Sequence, residues 1–148
     1  MAEFTLEGLL PTMEKIFAEG GCFRLYPRGV SMRPLLREGI DSVLLKRDGA
    51  PKVGDIVLCR RKNGSFILHR VHRIEGDSLY LTADSYPYGA PEGPLPLSSV
   101  TARVVAVYRG ERKLEGPPLL AFGLYAEGRR ALCGVKAGLS RFFKGKKR

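Results

Sequence analysis

Five short stretches in the middle of the chain are rich in β-branched and other apolar residues. Such runs, bounded by turn-forming sequences, predict strands. The five stretches are residues 41–46, 55–60, 65–74, 78–83 and 100–109. Turn-forming sequences such as Glu75-Gly76-Asp77 separate them, and residues 86–96, rich in proline and glycine, predict a loop. The pattern therefore predicts a mostly β domain with a coiled sheet or partial barrel.

The N-terminal region has a different period. Between residues 5 and 18, apolar residues recur at helical spacing, with Gly20-Gly21 as a stop signal. We predict an amphipathic helix here, within about residues 1–20 and bent at Pro11. Such a helix either packs on the β domain or offers a surface that guides a peptide or a partner.

The C-terminal region, residues 117–148, combines an apolar stripe with basic residues. From residue 129 to the end there are eight basic residues and no acidic one, whereas the rest of the chain is nearly neutral. We expect a basic amphipathic helix that binds an anionic membrane surface or an acidic partner. The alternative is a helix packed on the domain with a solubilising end, which Gly128, Gly134 and Gly138 favour because glycine weakens helix interiors.

Length and composition allow one domain with a real core, since the chain has 148 residues and 44% hydrophobic content. We therefore assign residues 1–116 to this domain and residues 117–148 to the basic segment. No run of 18 apolar residues is present, and acidic residues occupy the N-terminus where a secretion signal would be basic. We expect a cytoplasmic protein, which the basic segment could hold at the inner face of the membrane. The oligomeric state is left open.

Cysteine spacing and charge exclude some chemistry. Cys22, Cys59 and Cys133 are odd in number and lack the spacing of metal ligands, so we expect buried free thiols, no metal and no other cofactor. The basic residues cluster in the C-terminal segment with few aromatic residues between them, which argues against nucleic acid as a partner.

A serine stands at a sharp change of chain direction in Gly29-Val30-Ser31-Met32-Arg33-Pro34. Taken alone, Ser31 would cap the short helix predicted over residues 32–37. His69 follows 38 positions later in an apolar strand. By strand alternation it shares a face with Ile67 and Val71, whereas His72 lies on the opposite face, so His69 is the better candidate for a catalytic base.

Four blocks in a fixed order resemble one family. Gly29 to Pro34, Gly54-Asp55-Ile56-Val57, His69-Arg70-Val71 and Ala83-Asp84-Ser85 resemble the boxes of type I signal peptidases and LexA-type serine peptidases. The resemblance covers about residues 20–110. It implies a LexA/signal-peptidase-like fold in which the glycine-aspartate pair shapes a turn. In the last box Ala83 replaces the usual glycine and Ser85 the frequent asparagine.

The resemblance implies a serine endopeptidase that cleaves a leader peptide or a protein substrate. Ser31 would attack the scissile carbonyl, His69 would accept its proton, and Asp84 would orient the imidazole. Gly29, Met32 and Pro34 would support the turn and the oxyanion site. Asp84 could instead form an Asx turn before Tyr86. The alternative function is a non-catalytic peptide-binding or interaction module that retains the peptidase fold.

Histidine at the base position has a physical consequence, because many bacterial signal peptidases have lysine there. A lysine needs its pKa lowered by roughly 3 units to be neutral near pH 7, about 4 kcal/mol, whereas histidine starts near 6.5. The site therefore needs less desolvation. We expect the substrate to lie as an extended strand against a sheet edge.

Overall fold

Eight strands and one α-helix make up the part of the chain that the computed structural model describes, which is residues 6–29, 32, 35–85 and 90–114. In chain order the elements are α1 (Leu6–Ala18), β1 (Phe23–Leu25), β2 (Asp41–Lys46), β3 (Ile56–Arg60), β4 (Phe66–Glu75), β5 (Ser78–Thr82), β6 (Glu92–Pro96), a 3-10 turn (Leu97–Ser99), β7 (Val100–Arg109) and β8 (Arg112–Leu114). The predicted N-terminal helix and the five predicted strands agree with these elements to within about a residue. The predicted C-terminal helix lies outside the described residues.

All strand pairs belong to one antiparallel sheet with the order β1-β2-β7-β3-β4-β5-β6, and β8 pairs with β7. Strand β7 comes near the end of the described chain but lies between β2 and β3, in the middle of the sheet. Register shifts between Leu44 and Leu45, and between Leu58 and Cys59, mark where β7 meets these two neighbours. The predicted mostly β fold with an N-terminal helix is confirmed.

The core has two parts because β3 is buried on both faces. Ile56 and Leu58 point to a cluster that contains Met13 and Phe17 of α1, whereas the alternate residues of β3 point to a second cluster. That second cluster consists of Val57, Cys59, Ile67, Val71, Leu79 and Leu81. A strand buried on both faces needs a continuous apolar run, which Ile56–Arg60 supplies in its first four residues.

One sequence prediction about the fold is wrong. Residues 92–96, which proline and glycine content assigned to a loop, form the edge strand β6, in which Leu95 pairs with Leu79 and Glu92 with Leu81. An edge strand tolerates proline because one side of its backbone needs no partner in the sheet.

The helix α1 has 13 residues, and none of the helices in the described ranges is long and apolar enough to cross a membrane.

Candidate active site

The turn that contains Ser31 is anchored on both sides by described residues. Gly29 has φ +85°, a left-handed conformation that favours glycine, and Met32 is buried in the core with 4% exposure. The N–H of Leu36 donates to the carbonyl of Met32 at 2.9 Å, which forms a single turn, whereas the helix predicted over residues 32–37 is not among the helices of the described residues. Ser31 and Pro34 themselves lie outside the described residues. Met32 therefore supports this turn as a core residue.

His69 lies in the middle of β4, opposite Val57 of β3, and is partly buried. Burial lowers the pKa of His69 below its ordinary value of 6.5, because the interior disfavours the charged imidazolium. The Glu92 carboxylate acts in the opposite direction, the Arg61 guanidinium adds to the lowering, and Asp84 raises the pKa to a smaller extent than Glu92. The imidazole is thus held in the neutral form that a general base needs near pH 7.

A groove of about 440 Å³ is lined by described residues of the first and third blocks. Gly29 and Met32, the described residues on either side of Ser31, line it together with His69. Most of the other lining residues are apolar: Leu6, Leu9, Leu25, Tyr26, Pro27, Leu36, Leu58, Phe66, Ile67 and Leu68, with Arg28 as a cationic one. The first and third sequence blocks therefore meet at one cavity, although they are far apart in the chain.

The groove runs along a part of β4 that pairs on one side only. Strand β5 pairs with β4 from Arg70 onward, so residues 66–69 have β3 as their partner among the described strands. The N–H and the carbonyl of Val71 bond to Asp55 and Gly54 on the β3 side. Because backbone groups alternate along a strand, those of Leu68 point away from β3, toward the side that β5 leaves open.

Asp84, predicted as the partner of His69, forms a buried ion pair with Arg70. Nε and Nη2 of Arg70 each donate to a different carboxylate oxygen of Asp84 at 2.8 Å, and the two side chains are 7% and 2% exposed. A third Arg70 nitrogen, Nη1, donates to the carbonyl of Gly54 at 2.8 Å. The structure thus places Asp84 with the residue that follows His69, on the opposite face of β4.

The second block forms the turn that this ion pair contacts. The Asp55 carboxylate accepts the N–H of Lys52 at 2.8 Å, and the N–H of Gly54 donates to the carbonyl of Val71 at 2.9 Å. Gly54 has φ +95°, which accounts for glycine at this position. Asp55 therefore has the structural role that the sequence predicted, and Arg70 links the second, third and last blocks.

Sequence reasoning missed three charged residues near the histidine. Arg70 was visible only as a charge in an apolar strand, which signals a buried partner. Glu92 and Arg61 form an ion pair at 2.7 Å, with both side chains about one-third exposed, and both act on the pKa of His69. Glu92 had no recognisable signal because residues 86–96 resembled a loop.

The cysteine prediction is partly wrong. Cys59 is a buried free thiol, and burial raises its pKa to about 11. Cys22 is free but exposed, because it lies just before the short edge strand β1 rather than within the core. Cys133 lies outside the described residues.

Comparison with models of protein families shows the family of the chain. The model of the Peptidase S24-like family matches residues 2–100, which is about two-thirds of the chain. The chain belongs to this family, within the superfamily of LexA-like and signal-peptidase-like serine peptidases. It therefore has a serine peptidase type of fold, in a family that also includes members that are not peptidases. Comparison with curated proteins gives no match.

Proposed function

We propose that the protein is a serine endopeptidase in which Ser31 is the nucleophile and His69 the general base. The observation that carries the proposal is the groove, because residues on both sides of Ser31 line it together with His69. Family membership supplies the reaction class, and the neutral, partly buried imidazole supplies a group able to accept the serine proton. Pro34 and Gly29 would hold the turn that presents the hydroxyl.

The reaction would proceed by acyl transfer. The Ser31 oxygen attacks the scissile carbonyl while His69 accepts the hydroxyl proton, and the imidazolium then returns that proton to the leaving amine. Water, activated by the same imidazole, then hydrolyses the ester bond to Ser31. General base catalysis of this kind contributes roughly 10²- to 10⁴-fold to the rate.

The imidazolium formed during each step is stabilised by nearby carboxylates rather than by a dedicated contact with Asp84. Glu92 and Asp84 both favour the charged ring, and Glu92 has the larger effect on its pKa. Asp84 would act at a distance, while its ion pair with Arg70 fixes the strand next to His69. We therefore assign Asp84 a supporting role, in place of the hydrogen bond to the imidazole that the sequence suggested.

The substrate would be an extended peptide added to β4. The open side of Leu68 offers one N–H and one carbonyl for pairing, and the apolar walls of the groove would receive alternate side chains. Leader peptides and unfolded segments of proteins can adopt this extended form, whereas the interior of a folded domain cannot. The natural substrate would therefore present its cleavage site in an exposed, unstructured segment.

Incubation with a mixture of synthetic peptides of varied sequence, followed by mass spectrometry of the products, tests this function. We expect cleavage by the wild-type protein, none by Ser31→Ala, and at least a 100-fold loss with His69→Ala. His72→Ala is the matched control, because it removes an exposed histidine from the same strand and should leave the rate unchanged. Cleavage that survives Ser31→Ala would disprove the proposal, and peptide binding without cleavage would favour the non-catalytic module.

A further inference from the structure

A fully buried carboxylate contacts the segment that follows Ser31 in the chain. Asp41, the first residue of β2, has 0% exposure and accepts the backbone N–H of Arg37 at 2.8 Å. Its other oxygen accepts Nε of Arg109 at 3.1 Å, and Arg109 is also its cross-strand neighbour in β7. Asp41 thus connects the end of the serine turn to the central strand of the sheet.

Arg109 continues this connection into the turn itself. Its Nη2 donates to the carbonyl of Leu35 at 3.4 Å, so one guanidinium contacts both Asp41 and the turn backbone. Further backbone bonds close the segment, since the N–H groups of Ile40 and Asp41 both donate to the carbonyl of Arg37 at 3.2 and 3.0 Å. Polar contacts therefore fix the C-terminal end of the turn to β2 and β7.

Apolar contacts fix the same turn from its other side. Met32, Leu35 and Leu36 have 4%, 1% and 2% exposure and belong to the core cluster that contains Met13 and Phe17. These three side chains already supply the burial that a stable turn requires. The polar network is consequently an addition to a segment that the hydrophobic core holds in place.

The energetics of buried charge indicate what the polar contacts of Asp41 and Arg109 contribute. Asp41 is fully buried, whereas the Arg109 side chain is 34% exposed, so the desolvation penalty falls mainly on the carboxylate, and its hydrogen bonds must offset that penalty. Stability alone therefore explains the Asp41 to Arg109 pair poorly. Directional hydrogen bonds, in contrast with apolar packing, define both the distance and the orientation of the groups that they join.

We propose that Asp41 and Arg109 are positioning residues for the proposed nucleophile, which they orient through the backbone of Leu35 and Arg37. This inference rests on the function proposed above for Ser31. A displacement of about 1 Å in a reacting group can reduce a rate by about 100-fold. Loss of the Asp41 charge should therefore slow the chemical step much more than it weakens binding in the groove.

The test measures the rate at which a fluorophosphonate forms a covalent bond with Ser31. In that step the serine oxygen binds phosphorus, fluoride leaves, and the serine proton passes to His69. We expect Asp41→Asn to lower the maximal rate constant by 10- to 100-fold and to change the half-saturating probe concentration by less than threefold. Arg109→Lys, which keeps the charge but cannot contact Asp41 and the Leu35 carbonyl together through one guanidinium, should show a smaller loss of the same kind.

Two features separate positioning from general damage to the fold. Asp48→Asn removes the carboxylate from another ion pair, 2.7 Å from Arg103, and should react at the wild-type rate. The acid limb of the pH profile, which reports His69, should keep its midpoint in Asp41→Asn while the plateau falls. If Asp41→Asn does not fold, Arg109→Lys answers the same question.

A wild-type rate in folded Asp41→Asn or in Arg109→Lys would overturn the inference while leaving the proposed function intact. An equal loss in Asp48→Asn would overturn it as well, because the effect would then follow from any lost ion pair. A wild-type protein that never reacts at Ser31 would overturn the proposed function, and the inference with it. The two failures are therefore distinguishable.

Discussion

Arg70 and Asp84 form a buried pair with two parallel hydrogen bonds of 2.8 Å, one residue after the proposed base. Successive side chains of a strand alternate, so this pair lies on the face opposite His69 and holds the strand rather than the imidazole. The Gly54 carbonyl completes the arrangement by accepting from the same guanidinium. The strand segment that contains His69 is thereby connected to two loops that are distant in the sequence.

Removal of one partner of this pair should destabilise the domain strongly. Asp84→Ala leaves the Arg70 guanidinium buried without its carboxylate, and we expect a loss of about 3 to 5 kcal/mol in the free energy of unfolding. Asp48→Ala is the control, because its pair with Arg103 is 31% and 41% exposed and should contribute at most about 1 kcal/mol. Urea unfolding of the three proteins measures both values, and equal losses would contradict this account.

The pH dependence of activity should reflect the lowered pKa of His69. Because burial disfavours the imidazolium, the acid limb of kcat/KM should have its midpoint below the ordinary histidine value of 6.5. Glu92→Gln removes the carboxylate that most opposes this effect and should move the midpoint further down. NMR titration in the His72→Ala background, which leaves one histidine of the two, measures the pKa of His69 directly. A midpoint above 6.5 would be inconsistent with the burial of the ring.

The same shift has a consequence for stability. When the pKa of a histidine is lower in the folded than in the unfolded state, lowering the pH protonates the unfolded state first and so favours unfolding. The contribution of His69 to the free energy of unfolding is therefore complete above the unfolded-state pKa of about 6.5. It is lost as the pH falls below that value toward the folded-state pKa. In His69→Ala the change of unfolding free energy between pH 7 and pH 5 should be smaller than in the wild type.

The thiols should differ in reactivity. Cys59 is buried and its pKa is raised to about 11, so it should not react with iodoacetamide at pH 8 in the folded protein. Cys22 is exposed and should react readily. Mass mapping after brief labelling of Cys133→Ser, with the same protein in urea as control, measures both sites. Equal modification of Cys59 and Cys22 without urea would show that the second core cluster opens easily.

The basic segment, residues 117–148, remains a prediction from the sequence. We expect the full chain to cosediment with vesicles containing anionic lipid at low salt and to be released at high salt, because each basic residue near such a surface contributes about 1 kcal/mol. A shortened protein ending at Gly116 is the matched control and should remain in the supernatant. Equal binding by both proteins would show that the segment does not bind the membrane.

The sequence predicted the elements better than the contacts between charged residues. Short runs of apolar and β-branched residues located the strands, because one face or both faces of each must be apolar, and strand alternation placed His69 and Arg70 on opposite faces. The partner of Asp84 was not predictable, since a carboxylate in the last block is compatible with either His69 or Arg70. Edge strand β6 was missed for a related reason, because proline and glycine are tolerated where the backbone is half unpaired.

Covalent labelling of Ser31 tests the central claim most directly. After incubation with a fluorophosphonate, intact-protein and peptide mass spectrometry should show one adduct, located on Ser31, in the wild type and in His72→Ala. The adduct should be absent in Ser31→Ala and form at least 100-fold more slowly in His69→Ala. A folded wild-type protein that acquires no adduct on Ser31, or that reacts equally well without His69, would contradict the proposed catalytic pair.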